Sequence, residues 1–521
     1  MQQHHRLLAG LIATLTRQGD PPDLRETHIS SVLLGRERAW KIKKPVNFGF
    51  LDFSTLEQRR HFCHEELRLN RRFAPDLYLA VTPISGTLEN PQLGGTGPPL
   101  DYAVTMRRFA DQALLANCPQ ALSPNCLDRL CDQLVRHHQQ APSSDPFGSP
   151  EAVWQPLAEN LRVLQTYFPN HPALQPLRRQ ARTLHQRLTP HFAQRRQEQH
   201  IRECHGDLHL GNIALLNGEP TPFDAIEFNP KLRWIDTAND LAFLLMDLTA
   251  RNLHSASSRL LNRYLEQSSD YSALTVLRYY QLYRATVRAK ICALSGDRDD
   301  HQASAELAHY LALATRYATP LPRYLAITCG PSGAGKSTTA QQLASRDGAV
   351  QLRADAIRKR LAGLPPEASS AALPYSIYTP EFSANTYREL LALAEVVSNA
   401  GVPVIVDATF LRAAHRAPFQ QLAQRLGVPY ALLHFQTPER LMVERISQRL
   451  AVGNDASEAD QEVLARQLPQ LEPLTRQERR FRITIRPGEA VGPLASSKRR
   501  GRRKRSRNPM GESSGKHDGK E

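Results

Sequence analysis

One stretch of eight residues, 330–337 (GPSGAGKS), places the strongest constraint on how this chain folds. It follows an apolar run, residues 324–329, that predicts a buried strand, and it precedes a predicted helix start at Thr338. Three glycines allow a tight turn whose backbone N–H groups point inward at a helix N-terminus, where negative charge is favoured. The stretch is therefore predicted to be a phosphate-binding loop, in preference to an ordinary glycine-rich turn.

The side chains of this loop predict ATP and magnesium as its ligands. Lys336 can reach the outer phosphates and is assigned a catalytic role, while the Ser337 hydroxyl can ligate a bridging Mg²⁺ ion. A second metal candidate is Asp407, which ends the apolar strand predicted at 404–407. The residues expected to contact ATP here are Gly330, Pro331, Ser332, Gly333, Ala334, Gly335, Lys336, Ser337 and Thr338.

Four further residues flank this loop in the predicted fold. Asp355 follows a strand predicted at 350–354, where a carboxylate can orient a substrate hydroxyl, and Arg358 can bind an anionic group of that substrate. A helix cap at Asp355 with a surface arginine is the alternative. Arg445 and Arg449 share one face of a helix predicted at 439–450, followed by a polar loop at 454–459. A resemblance to P-loop kinases, in which such arginines belong to a lid over the transferring phosphate, implies that Arg445 acts in catalysis and Arg449 binds ATP; exposed ion pairs are the other interpretation.

A strand lysine near the N-terminus is a second nucleotide candidate. Residues 27–43 predict two strands around the turn at Gly35, and Ala39 and Lys41 share a face of the second strand. A small residue beside a lysine can admit an adenine ring and hold a phosphate. A solvent-facing lysine on an edge strand is the alternative, and the neighbouring Lys43 and Lys44 leave the choice open.

A glutamate is expected to pair with that lysine. Glu66 falls on the inward face of the helix predicted at 55–73, and a buried carboxylate needs a cation nearby. Lys41 is the candidate partner. Glu65 is the competing carboxylate, and exposed pairing with Arg68 or Arg72 is the remaining possibility.

The segment His205-Gly-Asp-Leu-His-Leu-Gly-Asn212, followed by Asp224, predicts phosphoryl transfer. Asp207 suits the role of base for an attacking hydroxyl, and Asn212 and Asp224 suit magnesium. Zinc at His205 and His209 is disfavoured because the nearby glycines indicate a loop, in which His205 is expected to hold the backbone by a hydrogen bond. Either Asp236 or Asp240 could brace this loop, but helix capping explains both equally well.

These residues carry two resemblances. The segment 205–212, with Lys41 before it and Asp224 after it, resembles the aminoglycoside phosphotransferase branch of the protein-kinase-like fold. Residues 1–320 resemble more closely a bacterial family in which such a domain is fused to a P-loop kinase domain. Residues 321–486 are similar to P-loop kinases of the gluconate kinase, zeta-toxin and polynucleotide-kinase type. The resemblance implies a bilobal ATP-binding kinase, although the hairpin at 29–38 lacks a glycine-rich nucleotide-covering loop.

The positive charge of the chain is concentrated in its tail. The formal net charge is +15, and residues 488–521 hold ten Lys/Arg against four Asp/Glu. The basic block at 498–507 is expected to be disordered, either as a solvated tail or as a weak nucleic-acid contact. Seven scattered cysteines indicate reduced thiols, and no apolar run approaches about 18 residues. These features predict a cytoplasmic protein without a membrane segment.

The sequence thus predicts an α+β bilobal kinase-like domain followed by an α/β P-loop NTPase domain with a parallel sheet. The boundaries are an N-lobe at 1–110, a helical C-lobe at 111–318, a P-loop kinase domain at 319–486 and a disordered basic tail at 487–521. The predicted function is transfer of the γ-phosphoryl group of ATP to a hydroxyl of an unidentified small-molecule or nucleic-acid substrate. A nucleotide-binding regulator with an N-terminal pseudokinase, and an RNA- or DNA-associated ATPase tethered by the tail, are the alternatives. The oligomeric state is left open.

Overall fold

The structure is a computed structural model that describes residues 1–49, 51–143, 146–295, 301–452 and 457–494. The basic block at 498–507 and residues 454–456 of the predicted polar loop lie outside these ranges. Across the described ranges, no helix is long and apolar enough to cross a membrane. All seven cysteines are free and buried, as predicted for reduced thiols.

The N-terminal lobe is a six-stranded antiparallel sheet with one helix on each face. Its elements are α1 (Gln2–Arg17), β1 (Asp23–Glu26), β2 (Ser30–Leu34), β3 (Arg38–Lys43), α2 (Leu56–Asn70), β4 (Tyr78–Gly86), β5 (Pro91–Leu93) and β6 (Asp101–Arg107). The strand order is β1-β2-β3-β6-β4-β5. Because side chains alternate along a strand, Trp40 and Ile42 of β3 pack against the leucines of α1. Lys41 and Lys43 point to the other face, toward α2.

A helical lobe follows and carries two short two-stranded sheets, β7 with β10 and β8 with β9. Its elements are α3 (Pro124–Gln140), α4 (Pro150–Tyr167), α5 (Leu174–Gln197), β7 (Ile201–Glu203), β8 (Ile213–Leu216), β9 (Glu219–Pro222), α6 (Pro230–Arg233), β10 (Trp234–Asp236), α7 (Thr237–Ala250), α8 (His254–Ser268), α9 (Ala273–Ser295) and α10 (His301–Ala318). The almost entirely buried α7 lies at its centre. We call residues 1–318 the kinase-like unit.

The remaining elements form a five-stranded sheet in the order β12-β13-β11-β14-β15, with every neighbouring pair parallel. They are β11 (Leu325–Cys329), α11 (Lys336–Asp347), β12 (Val350–Arg353), α12 (Ala354–Leu361), α13 (Pro380–Asn399), β13 (Val404–Asp407), α14 (Ala413–Arg425), β14 (Tyr430–Phe435), α15 (Glu439–Val452), α16 (Gln461–Gln467) and β15 (Arg482–Ile485). We call residues 325–494 the P-loop unit. Its sheet is the predicted parallel sheet, so the predicted fold class is confirmed for both parts of the chain.

Three local predictions need correction. Strands β1 and β5 were not predicted, because both are short and β1 is fully exposed and lacks an apolar face. The first hairpin is therefore β1–β2 with its turn at residues 27–29, whereas Gly35 lies in the next turn. Strand β12 ends at Arg353, so Asp355 lies in the first turn of α12 and not at a strand end.

The two units share one hydrophobic core. Its buried residues include Leu260 and Tyr264 of α8 together with Leu325 of β11 and Val350 of β12. α8 also packs against α11, the helix that begins at Lys336. The kinase-like unit therefore supports the sheet that carries the phosphate-binding loop.

Candidate active sites

In the kinase-like unit, the structure brings Lys41, Glu66 and Asp224 together. Lys41 Nζ lies 2.9 Å from Glu66 Oε1 and 2.5 Å from Asp224 Oδ1. Glu66 is held on α2, whose N-terminus is stabilised by a capping box at Thr55. Burial alone would lower the pKa of Lys41, but Asp224 and Glu66 outweigh it and raise that pKa well above its usual value. Lys41 therefore remains a cation inside the cleft.

Lys43 and Glu227 complete this cluster, and sequence reasoning did not assign them. The Lys43 ammonium is fully buried, contacts Glu227 and lies 2.7 Å from Glu66 Oε2. Burial raises the pKa of the Glu227 carboxyl, whereas Lys41 and Lys43 overcome burial at Glu66 and lower its pKa. The available signal was that Lys43 lies two residues after Lys41 and so faces the same side of β3.

The predicted base Asp207 and the metal candidate Asn212 lie in one loop between β7 and β8, and the second metal candidate, Asp224, follows β9. Asn212 Nδ2 donates to Asp207 Oδ2 at 3.0 Å, and His209 Nε2 lies 3.5 Å from the same oxygen. Burial opposes ionisation of Asp207, but its hydrogen bond to His209 lowers its pKa below the usual value. The backbone carbonyl of Asn212 accepts from Phe223 N at 2.9 Å, which brings Asp224 next to this loop.

Buried groups hold the loop at 205–212 in place. Asp240 accepts hydrogen bonds from His205 N at 3.2 Å and Gly206 N at 2.8 Å. The His205 ring is hydrogen-bonded to the carbonyl of Phe223 at 2.9 Å, the bracing role expected for it. Asp236 instead caps α7 and pairs with Arg195. Of the two aspartates considered for bracing, Asp240 contacts the loop.

In the P-loop unit, residues 330–335 turn from β11 into α11 by means of left-handed glycines. Gly333 and Gly335 have φ of 76° and 94°, and a Cβ on Gly333 would lie 2.5 Å from the Met442 carbonyl. Lys336 Nζ donates to the Pro331 carbonyl at 2.7 Å, and burial lowers its pKa. Position 333 requires glycine, because its φ is positive and a Cβ there would clash with the Met442 carbonyl.

The two metal candidates of this unit have one hydrogen-bond partner in common. Ser337 is exposed in the first turn of α11, and Asp407 is nearly buried at the carboxyl end of β13. Gln351 of β12 links them, since its Nε2 donates to Asp407 Oδ2 at 2.9 Å and lies 3.4 Å from the Ser337 carbonyl. A hydroxyl and a carboxylate in this position are oxygen donors of the kind Mg²⁺ prefers.

The predicted base and substrate arginine are in contact. Arg358 Nη1 lies 3.2 Å from Asp355 Oδ1, and its guanidinium stacks over the Tyr378 ring at 4.9 Å. Asp355 does not cap α12, because the N-cap position is Arg353. Arg358 Nε is buried with no hydrogen-bond partner among the described residues. Both side chains line the same cleft as the phosphate-binding loop.

Of the two arginines of α15, Arg445 contacts the phosphate-binding loop. Arg445 Nη1 lies 3.4 Å from the Gly333 carbonyl, and it would lie 3.0 Å from a Cβ placed on Gly335. Arg449 donates to the carbonyl of Ala459 beyond the helix. The loop is also tied to α16, because Ser332 N donates to Gln467 Oε1 at 2.8 Å. Both arginines line the cleft.

A strained loop after β13 forms the opposite wall. Phe410 has φ of 48°, a left-handed value that is costly for an aromatic residue. Its backbone N donates to Tyr387 Oη at 3.2 Å, and its carbonyl accepts from the buried Arg416 at 3.0 Å. This fixed geometry leads into Arg412, which is exposed and lines the cleft.

The cleft that these residues enclose has a volume of about 1390 Å³. Residues 332–338 line it, while Gly330 and Pro331 are buried. Eight lysine or arginine side chains line the cleft against three carboxylates. The cations are Lys336, Arg353, Arg358, Arg412, Arg445, Arg449, Arg466 and Arg486, and the carboxylates are Asp355, Asp407 and Glu489. The surplus of positive charge favours strongly anionic contents.

Comparison with known proteins assigns a family to each site. Residues 51–278 match the Phosphotransferase enzyme family, and residues 325–474 match an AAA domain. Over 449 residues the chain is 32% identical to Rv2004c of Mycobacterium tuberculosis strain H37Rv and to Mb2027c of Mycobacterium bovis, covering 84% of this chain and 88% of each relative. The chain belongs to the family of these mycobacterial proteins. In this family member a phosphotransferase-type domain is fused to a P-loop kinase domain.

Solved kinases resemble the two parts of this family member. A sugar kinase from Janibacter sp. HTCC2649 is 24% identical and covers 32% of this chain and 84% of its own, with a TM-score of 0.25. A choline/ethanolamine kinase family protein from Mesorhizobium loti is 14% identical and covers 61% and 94%, with a TM-score of 0.38. Similarities this low support no inference about substrate. The two family matches support a phosphotransferase.

Proposed function

We propose that the P-loop unit transfers the γ-phosphoryl group of MgATP to a hydroxyl of a small anionic acceptor. The observation that carries this proposal is one cleft in which the phosphate-binding loop, the Ser337–Asp407 pair and the Asp355–Arg358 pair all meet. The loop provides backbone donors for phosphates, and Ser337 and Asp407 provide the oxygen donors for Mg²⁺. When bound, the ion neutralises phosphate charge.

Each side chain then has a defined task. Asp355 accepts the proton of the acceptor hydroxyl as its oxygen bonds to the γ-phosphorus. The bond from that phosphorus to the β–γ bridging oxygen breaks, and ADP leaves with the electron pair. Lys336 and Arg445 stabilise the charge that develops on the phosphoryl oxygens, and Arg449 holds the nucleotide.

Charge supports an anionic acceptor. The cleft-lining side chains carry five more positive than negative charges, whereas MgATP neutralises only about two of them. Arg358 lies on α12 three residues after Asp355, and Arg412 is the N-cap residue of α14 directly after the strained loop, whereas Arg445 and Arg449 lie on α15. A phosphate or carboxylate of the acceptor would lie beside Arg358 and Arg412, where Arg358 Nε has no partner among the described residues.

For the kinase-like unit we propose a second phosphotransfer site, with Asp207 as base and Asn212 and Asp224 as the Mg²⁺ donors. Lys41, oriented by Glu66, would bind the phosphates of ATP. A nucleotide-binding pseudokinase is the alternative, and one observation favours it. The β1–β2 turn at residues 27–29 contains no glycine, and it is held by Lys44 Nζ, which donates to the Thr27 carbonyl at 2.7 Å.

Phosphate transfer from γ-labelled ATP into an extract of metabolites and RNA tests both assignments. Wild-type protein is compared with Lys336→Ala and with Asp207→Asn. A labelled small anionic product that is lost only in Lys336→Ala is the expected result for the P-loop unit. Undiminished labelling in Lys336→Ala would overturn that assignment, and a product lost only in Asp207→Asn would establish the second active site. Label that accumulates in RNA would replace the small acceptor with a nucleic acid.

A further inference from the structure

Helix α8 of the kinase-like unit runs along the outer edge of the sheet of the P-loop unit. Strand β12 is that edge, so its outer N–H groups have no strand partner within the described part of the chain. Arg263 of α8 joins the units at this boundary, with Nη2 2.7 Å from Asp132 Oδ2 and Nη1 2.6 Å from Glu367 Oε1. The boundary therefore contains specific polar contacts as well as apolar packing.

Asn262 of α8 occupies the open edge of the sheet. Its Oδ1 accepts a hydrogen bond from the backbone N of Gln351 at 2.7 Å. Its Nδ2 donates to the Ser258 carbonyl at 2.8 Å, which fixes the orientation of the amide group. A side chain of the kinase-like unit thus takes the place of a sixth strand at this position.

The contact continues to the metal candidates. Gln351 is 7% exposed, and its side chain donates to Asp407 Oδ2 at 2.9 Å. Gln351 Nε2 also lies 3.4 Å from the carbonyl of Ser337. Asn262 therefore holds the backbone of Gln351, and the side chain of Gln351 holds the Asp407 carboxylate.

A second contact between α8 and β12, here between two side chains, lies one helical turn further along α8. Glu266 lies four residues after Asn262 on the same face of α8, and Arg353 lies two residues after Gln351 on β12. The Glu266 side chain is 8% exposed, and its Oε2 lies 3.7 Å from Arg353 Nη1. Arg353 lines the cleft and immediately precedes α12, the helix that carries Asp355.

α8 also contacts a residue that holds Asp240 at the candidate site of the kinase-like unit. The hydroxyl of Tyr264, between Asn262 and Glu266, lies 2.8 Å from His138 Nδ1. His138 Nε2 lies 3.2 Å from Asp240, the residue that holds the loop at 205–212. One helix therefore touches the groups that position Asp207 and the groups that position Asp407.

We propose that α8 of the kinase-like unit completes the magnesium-nucleotide site of the P-loop unit, with Asn262 and Glu266 as positioning residues. Asn262 fixes Gln351 and through it the Asp407 carboxylate, and Glu266 fixes Arg353 beside the acceptor. The inference rests on the proposed function of that unit and adds that the P-loop site depends on a neighbouring domain.

Calorimetric titration of the full chain with ADP tests the role of Asn262 without needing the acceptor. Lys41→Met is introduced in every variant to remove nucleotide binding by the kinase-like unit. Asn262→Leu keeps the size of the side chain but loses the acceptor oxygen. We expect it to weaken ADP binding about fivefold with Mg²⁺ present and to leave binding in EDTA unchanged. Asn262→Asp keeps an acceptor oxygen for Gln351 N but loses the donor to the Ser258 carbonyl, so it should restore only part of the Mg²⁺-dependent affinity.

Two controls make the result decisive. Ser255→Ala removes a contact across the same boundary, the 3.0 Å pair with Ser345, and should bind ADP as the parent does. Equal affinities of parent and Asn262→Leu in Mg²⁺, or an equal loss with and without Mg²⁺, would overturn the positioning role. Lys336→Ala is measured in parallel. If it binds MgADP as tightly as the parent, the proposed function itself is wrong.

Discussion

Lys41 Nζ and Asp224 Oδ1 are 2.5 Å apart, so the lysine expected to bind phosphates contacts the carboxylate expected to bind Mg²⁺. The two groups neutralise each other in this arrangement. A nucleotide with its metal would have to separate them, because phosphate and Mg²⁺ each attract one member of the pair. The nucleotide proposed for the kinase-like unit would therefore compete with this ion pair.

Asp224→Asn should abolish the metal dependence of nucleotide binding in this unit. Asp224 has φ of 63°, a backbone conformation that asparagine tolerates, so the loop should keep its shape. In a Lys336→Ala background, we expect tighter ATP binding in EDTA, because Lys41 loses a competing carboxylate, and no further gain on adding Mg²⁺. Calorimetry measures both affinities. A Mg²⁺ enhancement that survives in Asp224→Asn would rule out Asp224 as a metal ligand.

Lys43→Met should destabilise the N-terminal lobe far more than Lys44→Met. Lys43 is fully buried between Glu66 and Glu227, so its loss leaves buried carboxylates with too little positive charge and costs about 3–5 kcal/mol. Lys44 pairs with the half-exposed Glu26, a contact worth about 1 kcal/mol or less. Thermal unfolding of the two variants gives the comparison. Adding Glu227→Gln should recover part of the Lys43→Met loss, and equal losses at the two lysines would refute the argument.

Gly333→Ala should abolish nucleotide binding at the P-loop site, whereas Gly427→Ala should only reduce stability. Both glycines have positive φ, but a Cβ at Gly333 would lie 2.5 Å from the Met442 carbonyl and one at Gly427 would meet nothing within 4 Å. Left-handed strain alone costs roughly 1–2 kcal/mol. ATP titration in a Lys41→Met background separates the effects. Similar ATP affinities for the two variants would show that space at Gly333 is not limiting.

Arg412→Ala should raise the KM for the acceptor about tenfold and leave the KM for ATP unchanged, since one charge-assisted contact to the acceptor is lost. The measurement uses the labelled product identified in the extract. Arg388→Ala removes another exposed arginine of the same unit, on α13, and serves as the matched control. A change in the KM for ATP with no change for the acceptor would move Arg412 to the nucleotide side of the cleft.

Asp270→Asn should reduce stability at neutral pH but not in strong acid. Burial alone would raise the pKa of Asp270, but Arg195 overcomes it and lowers that pKa from 3.8 to about 2. A lowered pKa stabilises the fold above pH 3.8, and this contribution disappears as the pH falls to about 2. The free energy of unfolding of the wild type should exceed that of Asp270→Asn by about 2 kcal/mol near neutral pH, and the two values should converge near pH 2. A difference in unfolding free energy that stays constant from pH 7 to about pH 2 would contradict the assignment.

The sequence predicted those parts of the sites that depend on local pattern. Spacing located the phosphate-binding loop, and the cost of burying Glu66 alone indicated Lys41 as its partner. Burying the Lys43 ammonium alone would be costly too, so it also needs a partner. That partner, Glu227, lies 184 residues away in sequence, and no local pattern predicts so distant a contact. The role of Asn262 was not predictable at all, because a polar residue on a helix surface has no visible partner until another domain packs against it.

The hydrogen bond between Asn262 and Gln351 also determines how the chain can be divided. A fragment that begins between α10 and β11 would lack α8. Its strand β12 would lose the hydrogen bond from Gln351 N to Asn262, and apolar surface that α8 normally covers would be exposed. An uncovered strand edge is a template for strand pairing between molecules. The isolated C-terminal half should therefore self-associate.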